Sequence, residues 1–233
     1  MTDPLAAGEV LSVGAQLELL KRRSAFAHCT GPQVHSSVAS QLAYRRPVII
    51  VADYDPRWPD RFEVLRSEYA SALADASVAV IGIEHIGSTS VPGLAAKPVI
   101  DIDIVVARSE VIAAGDVLVS LGFRGIGELG IPDRWAFKEP ERLAATNTYV
   151  VVAGSLALRN HLAIREHLRG DPSLRAEYGA VKKLVAADAA NIDDYGRGKN
   201  SMVQKVLAAA GLSDEERASI NGNPIPSHDE IPR

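Results

Sequence analysis

Apolar positions follow a helical spacing at the start of the chain, alternate or run together through its middle, and return to a helical spacing after Ser155. In residues 1–46, Leu11, Leu17, Leu19 and Leu20 fit a short helix ending near Lys21-Arg22-Arg23, and a polar stretch with Gly31-Pro32 reads as a linker. Val48-Ile49-Ile50-Val51 is a β-branched run that predicts a strand. Asp55 then stands as a helix N-cap with Pro56 at the first helical position, opening a helix over 57–76. β-Branched enrichment predicts strands over 78–86 and 99–106, with the small-residue loop Gly87-Ser88-Thr89-Ser90-Val91-Pro92-Gly93 between them. A helix over 109–121 and strands over 122–126, 134–138 and 145–152 follow. Helices are then expected over 155–169, 172–189 (started by Asp171-Pro172) and 193–210.

This order implies an α/β (α+β) unit: a mixed β-sheet flanked by helices, with a C-terminal helical segment. The expected organisation is an extension at 1–46, a core at 47–154, a helical lobe packed on it at 155–211, and a flexible tail at 212–233 whose Asn221-Gly222-Asn223-Pro224 breaks regular structure.

The 233 residues are 47% hydrophobic and 23% charged, enough to bury a core without disulfides or a structural metal. A net charge of −4 and the lack of a basic stripe argue against a nucleic-acid partner. The lone Cys29 excludes a disulfide framework and a Cys-cluster zinc site. No apolar run reaches the roughly 18 residues of a membrane span. Asp3 and Glu9 stand where a signal peptide would be basic then apolar, so a cytoplasmic, membrane-free protein is expected. Residues 47–154 carry nine basic and fifteen acidic groups, and 155–205 carry nine and six. An acidic core beside a basic lobe suits a site that joins cations to an anionic substrate.

The candidate chemistry lies in residues 83–106. Alternation along a strand puts Asp101 and Asp103 on one face and Ile100, Ile102 and Ile104 on the other. Two carboxylates about 6–7 Å apart along the backbone can converge on Mg²⁺ or Mn²⁺, with phosphate oxygens and water filling the remaining positions. Gly87 allows close backbone approach, and Ser88, Thr89 and Ser90 offer hydroxyls and N–H groups to phosphate. Taken separately, the acid pair reads as the solvated face of an edge strand and the loop as a connector; together, on adjoining elements, they read as a site.

Tyr54-Asp55-Pro56-Arg57-Trp58-Pro59, the block Ile83-Glu84-His85-Ile86-Gly87-Ser88 through Lys97-Pro98-Val99-Ile100-Asp101-Ile102-Asp103, and Gly130-Ile131-Pro132-Asp133-Arg134 resemble the GrpB family over residues 48–205. That family belongs to the nucleotidyltransferase-fold superfamily and also occurs fused to dephospho-CoA kinases. The resemblance implies a nucleotidyltransferase-like sheet, a Gly87-Ser88 turn that binds a nucleoside triphosphate, and metals on Asp101 and Asp103. Relatives usually carry H-x-L-H-V where this chain has Thr146-Asn147-Thr148-Tyr149-Val150, so both histidines are replaced. Asn147 and Tyr149 share a strand face and can hydrogen-bond an acceptor, but neither is a good metal ligand or a base near neutral pH. Glu128 is the candidate third carboxylate, with a surface-loop role as the alternative.

Lys97, Arg134 and Lys199, in that order, are the cations expected on nucleotide phosphates. Arg159, His161 and Arg165 recur along one helix, and Tyr178, Lys182, Tyr195 and Lys199 resemble positions occupied similarly in GrpB sequences. Each alone reads as a solvated helix residue. His85 is expected to orient the Gly-Ser loop or to approach the metal pair. Trp58 and Trp135 read as core or pocket wall, with Trp135 able to stack on a base. The expected function is Mg²⁺-dependent (or Mn²⁺-dependent) transfer of a nucleotide from ATP or another nucleoside triphosphate to a small-molecule acceptor carrying a hydroxyl or carboxylate. The alternatives are an adenylate-forming amide ligase, in which Arg134 clamps a carboxylate, a non-catalytic nucleotide-binding module, and an inactive scaffold.

Overall fold

The computed structural model describes residues 48–221. The predicted N-terminal helix, its linker and the chain beyond residue 221 lie outside the described residues. Five strands form one mixed sheet: β1 (Val80–Ile86), β2 (Ile100–Val106), β3 (Arg124–Gly127), β4 (Arg134–Lys138) and β5 (Thr146–Val152), in the order β1-β2-β5-β4-β3. β2 and β5 pair in parallel, and every other neighbouring pair is antiparallel. Helices α1 (Trp58–Asp75) and α2 (Val111–Ser120) cover one face. The other face meets α3 (Leu156–Gly170), the first helix of a lobe that continues with α4 (Pro172–Asp188), α5 (Ile192–Gly198), α6 (Asn200–Ala209) and α7 (Asp214–Asn221). The mixed sheet flanked by helices is therefore the architecture formed.

Alternation in β2 sets the layering. Ile100, Ile102, Ile104 and Val106 are fully buried against Trp58, Phe62, Leu65, Tyr69 and Leu73 of α1 and Ala114 and Leu118 of α2. Val105 faces the lobe with Val151, Ala157 and Leu158. A separate apolar cluster ties the β1–β2 loop to the lobe: Val91 and Leu94 pack with Leu168, Leu174, Tyr178, Met202 and Val206. Ser155 caps α3 by accepting from Leu158 N at 3.2 Å, and Asp171 caps α4 by accepting from Leu174 N at 2.9 Å.

Four expectations change. Residues 48–51 form no strand, because Val48 and Ile50 face solvent and the segment makes only the Ala52–Ala96 bridge beyond its end. Asp55 does not cap the first helix: it accepts from Arg57 N at 2.9 Å in a turn, and the helix begins at Trp58. The helix expected over 193–210 is two, meeting at Lys199. Part of the segment expected as a flexible tail at 212–233 is helical: α7 occupies Asp214–Asn221 behind a capping box in which Ser213 Oγ accepts from Glu216 N and Glu216 Oε2 accepts from Ser213 N.

Candidate active site

Asp101 and Asp103 project from β2 toward the lobe, beside Asn147 and Tyr149, their register partners on β5. Asp103 is fully buried. Its Oδ2 lies 2.7 Å from Nδ1 of His161 on α3, while Oδ1 has no hydrogen-bond partner among the described residues. Asp101 Oδ1 accepts from Asn147 Nδ2 at 2.6 Å. Burial pushes the Asp101 carboxyl above its ordinary value, against the Asn147 bond and the nearby His161, Lys199 and Lys97.

Gly87 joins the loop to this pair. Its φ of +68° lies in the left-handed region, and a Cβ there would overlap Asp101 Oδ2 and come within 2.8 Å of Asp101 Cγ. The backbone thus fills the space beside the carboxylate. The loop hydroxyls divide. Thr89 Oγ1 donates to Val99 O at 3.0 Å and meets His85 Nε2 at 3.0 Å; Ser90 Oγ donates to Gly87 O at 2.6 Å. Both residues are buried, so their side chains brace the loop and are not presented to a ligand as expected. Ser88 remains at the site, hydrogen-bonded to the Tyr178 hydroxyl.

His85 lies on the α1 side of the sheet, stacked on Phe62 with centroids 4.7 Å apart and its ring plane 11° from parallel. Burial, with help from Arg169 and Arg165, lowers its pKa to about 4. It contacts the loop and points away from the acid pair. Two arginines of α3 hold the loop from the lobe: Arg165 Nη1 donates to His85 O at 2.9 Å and Glu84 Oε2 at 2.8 Å, and Arg169 donates to Ser90 O through Nε at 3.1 Å and Nη2 at 2.8 Å. They grip the carbonyls on either side of the Gly-Ser turn.

Three lysines gather on the Asp101 side. Burial lowers Lys97, Lys182 and Lys199, with Lys182 brought to about 7; Lys199 repels the other two, and Asp101 opposes the shift in all three. Lys182 Nζ lies 4.6 Å from the Tyr178 ring centre, is almost wholly buried, and has no hydrogen-bond partner among the described residues. Lys199 Nζ lies 5.4 Å from the Tyr195 ring centre.

Arg134 stands elsewhere. It pairs with Val151 across the β4–β5 ladder, and its guanidinium lies 4.7 Å from the Tyr149 ring centre. Glu128 is not brought to the acid pair. Its Oε1 accepts from Asp133 N at 2.8 Å, closing the loop before Arg134, at the end of the sheet where β2 finishes. Trp135 packs toward the α1–α2 core, away from any base that the Asp face would hold. Arg159 pairs with Glu216. From the sequence alone His161 and Lys182 read as solvated helix residues; the polar residues at i, i+4 and i+8 in His161, Arg165 and Arg169 are the available signal for a second polar face.

Residues 48–209 match the family model described as GrpB protein. The chain belongs to the GrpB family. It is 36% identical over 166 residues to a UPF0157 protein of Streptomyces coelicolor, covering 70% of this chain and 84% of that one. It superposes on the crystal structure of the conserved protein GrpB from Enterococcus faecalis with a TM-score of 0.61 at 30% identity, covering 69% and 96% of the two chains. A dephospho-CoA kinase of Mycolicibacterium paratuberculosis is 31% identical over 196 residues, covering 70% of this chain and 46% of that protein. No described helix of this GrpB chain is long and apolar enough to cross a membrane.

Proposed function

We propose that this GrpB protein transfers a nucleotide from a nucleoside triphosphate to a small acceptor. The observation that carries the reading is the contact of the Gly87 backbone with the Asp101 carboxylate, which brings a phosphate-cradling turn and an acid pair to one point. Ser88, Lys97, Lys182 and Lys199 would receive the triphosphate, each lysine gaining the counter-charge that burial denies it.

Asp103 Oδ1, buried and without a hydrogen-bond partner among the described residues, is an acceptor that suits a hard cation. Among the described residues no group of three or more His, Cys, Asp and Glu side chains is placed to hold a metal. Asp101 and Asp103 would therefore hold Mg²⁺ or Mn²⁺ together with phosphate oxygens and water. Bound there, the cation would offset charge developing on the transferred phosphate. His161 fixes Asp103 through Oδ2, leaving Oδ1 for the ligand, whereas Asp101 is held by Asn147 through Oδ1 and by the Gly87 backbone packed beside Oδ2. In the reaction an acceptor heteroatom bonds to the α-phosphorus as the bond from that phosphorus to the bridging oxygen breaks. Pyrophosphate leaves with the electron pair, and any acceptor proton goes to solvent.

The test is pyrophosphate release from ATP and Mg²⁺ across hydroxyl and carboxylate acceptors. Wild type should release it, and Asp101→Asn should lose about 10²-fold or more. Equal release from the variant would contradict the reading. A second reading, nucleotide binding without turnover, is favoured by Asn147 standing beside Asp101 and by the absence of Glu128 from the pair. Calorimetry showing tight Mg·ATP binding without consumption would support it.

A further inference from the structure

The cations of the Asp face form two poles. Lys97, Lys182 and Lys199 lie with Asp101, whereas Arg134 lies two strands from β2, in register with Val151 and so with Val105. At about 4.8 Å per strand and 3.3 Å per residue, its Cα is about 12 Å from that of Asp103 and about 16 Å from that of Asp101. Tyr149 stands between Arg134 and Asp103.

Arg134 is only 7% exposed. Among the described residues it makes no hydrogen bond or ion pair: Nε is buried without a partner, Nη1 and Nη2 are not among the buried unpartnered atoms, and the guanidinium lies 4.7 Å from the Tyr149 ring centre. Its ladder partner Val151 belongs to an apolar cluster with Val105, Ala157 and Leu158, flanked by Ile131 and Leu162. Lys182, equally lacking a partner, can shed its proton near neutral pH; a guanidinium cannot. Burying a fixed charge without a counter-ion costs several kcal/mol unless something else supplies the anion.

We infer that Arg134 anchors a carboxylate on the acceptor. The inference rests on the nucleotidyl-transfer reading for the identity of the ligand as acceptor. The triphosphate has its own pole at the lysines, so the anion at Arg134 belongs to the other substrate. One guanidinium supplies one positive charge, which matches the single charge of a carboxylate and not the double charge of a phosphate monoester. The forked N–H groups fit its two oxygens. Tyr149, whose hydroxyl burial keeps protonated, lies against the guanidinium and shapes the pocket. Because Tyr149 separates Arg134 from Asp103, the bound carboxylate is an anchor. The attacking group lies farther along the acceptor, toward Asp101 and Asp103.

The test uses the full chain and two readouts besides turnover. Thermal melting without ligand should place Arg134→Met above wild type by roughly 3–8 °C, because an unpaired buried charge is removed; a lower melting temperature would mark Arg134 as structural and overturn the inference. Ligand-observed NMR should show lactate and benzoate binding to wild type but not their amides or inorganic phosphate, with at least tenfold loss in Arg134→Met. Binding of phosphate at this position, or carboxylate binding that survives Arg134→Met, overturns it, as does failure of both carboxylates to bind. Calorimetry with a non-hydrolysable ATP analogue and Mn²⁺ separates the two claims. Nucleotide binding without carboxylate binding removes the inference alone, and Arg134-dependent carboxylate binding without nucleotide binding removes the transferase reading while leaving the anion site.

Discussion

The two faces of β2 are built from the same seven residues and could hardly differ more. Ile100, Ile102, Ile104 and Val106 are fully buried among α1 and α2 side chains and carry no polar side-chain atom. On the opposite face Asp103 is just as buried, yet one carboxylate oxygen has no partner among the described residues, and Lys182 Nζ and Arg134 Nε are in the same condition. Native interiors satisfy nearly all buried polar atoms, at a cost of about 1–3 kcal/mol for each exception. The isoleucine face therefore supplies stability that the aspartate face gives up. A single alternating strand links the two, so site geometry is only as firm as the packing beneath it.

The largest effect should come from exchanging one residue on each face. Ile102→Ala should lower stability by about 4 kcal/mol and the melting temperature by roughly 10 °C, while nucleotide affinity at temperatures where the protein stays folded changes little. Asp103→Asn should keep or raise the melting temperature and abolish metal-dependent nucleotide binding. Scanning calorimetry with binding isotherms would break the contrast if both variants lost stability alike.

Acid titration probes the packed side next. His85 is held neutral, its pKa lowered to about 4 from an ordinary 6.5, so the unfolded chain binds the proton first. Its contribution is intact above about pH 6.5 and is lost as pH falls toward 4, to a limit of about 3 kcal/mol. Denaturant midpoints between pH 7 and 4 should drop more steeply for wild type than for His85→Gln. Parallel slopes would show that the His85 stack on Phe62 is not what resists protonation.

A smaller effect is expected from the clamp between lobe and loop. Arg169→Ala removes two donors from Ser90 O and should weaken nucleotide binding about threefold to tenfold with less than about 1 kcal/mol change in stability, since Arg165 still holds His85 O. Unchanged affinity would mean that Arg165, Thr89, Ser90 and His85 fix the loop without Arg169.

Much of this was legible in the sequence because it rests on period and caps. The alternation of Asp101-Ile102-Asp103-Ile104 fixed both faces, and Ser155 and Asp171-Pro172 marked their helices. The Val48–Val51 run misled because β-branched propensity cannot form a strand without a partner edge. The break at Lys199 has no Pro or side-chain cap to announce it, although Gly198 packs tightly on Val185. The capping box at Ser213–Glu216 is legible in the letters as Ser-x-x-Glu. Within the site, sequence spacing placed the acid pair and the turn. It could not say that Thr89 and Ser90 bond inward, that Glu128 closes its own loop, or that His161 reaches Asp103 across 58 positions, since each depends on tertiary packing.

The most direct measurement is Mn²⁺ electron paramagnetic resonance on the full chain with a non-hydrolysable ATP analogue. Wild type should hold Mn²⁺ in a ternary complex that requires the nucleotide, and Asp101→Asn and Asp103→Asn should each lose it. Equal Mn²⁺ binding by wild type and both variants, or none by wild type with nucleotide present, would contradict the claim that the aspartate face of β2 is the site.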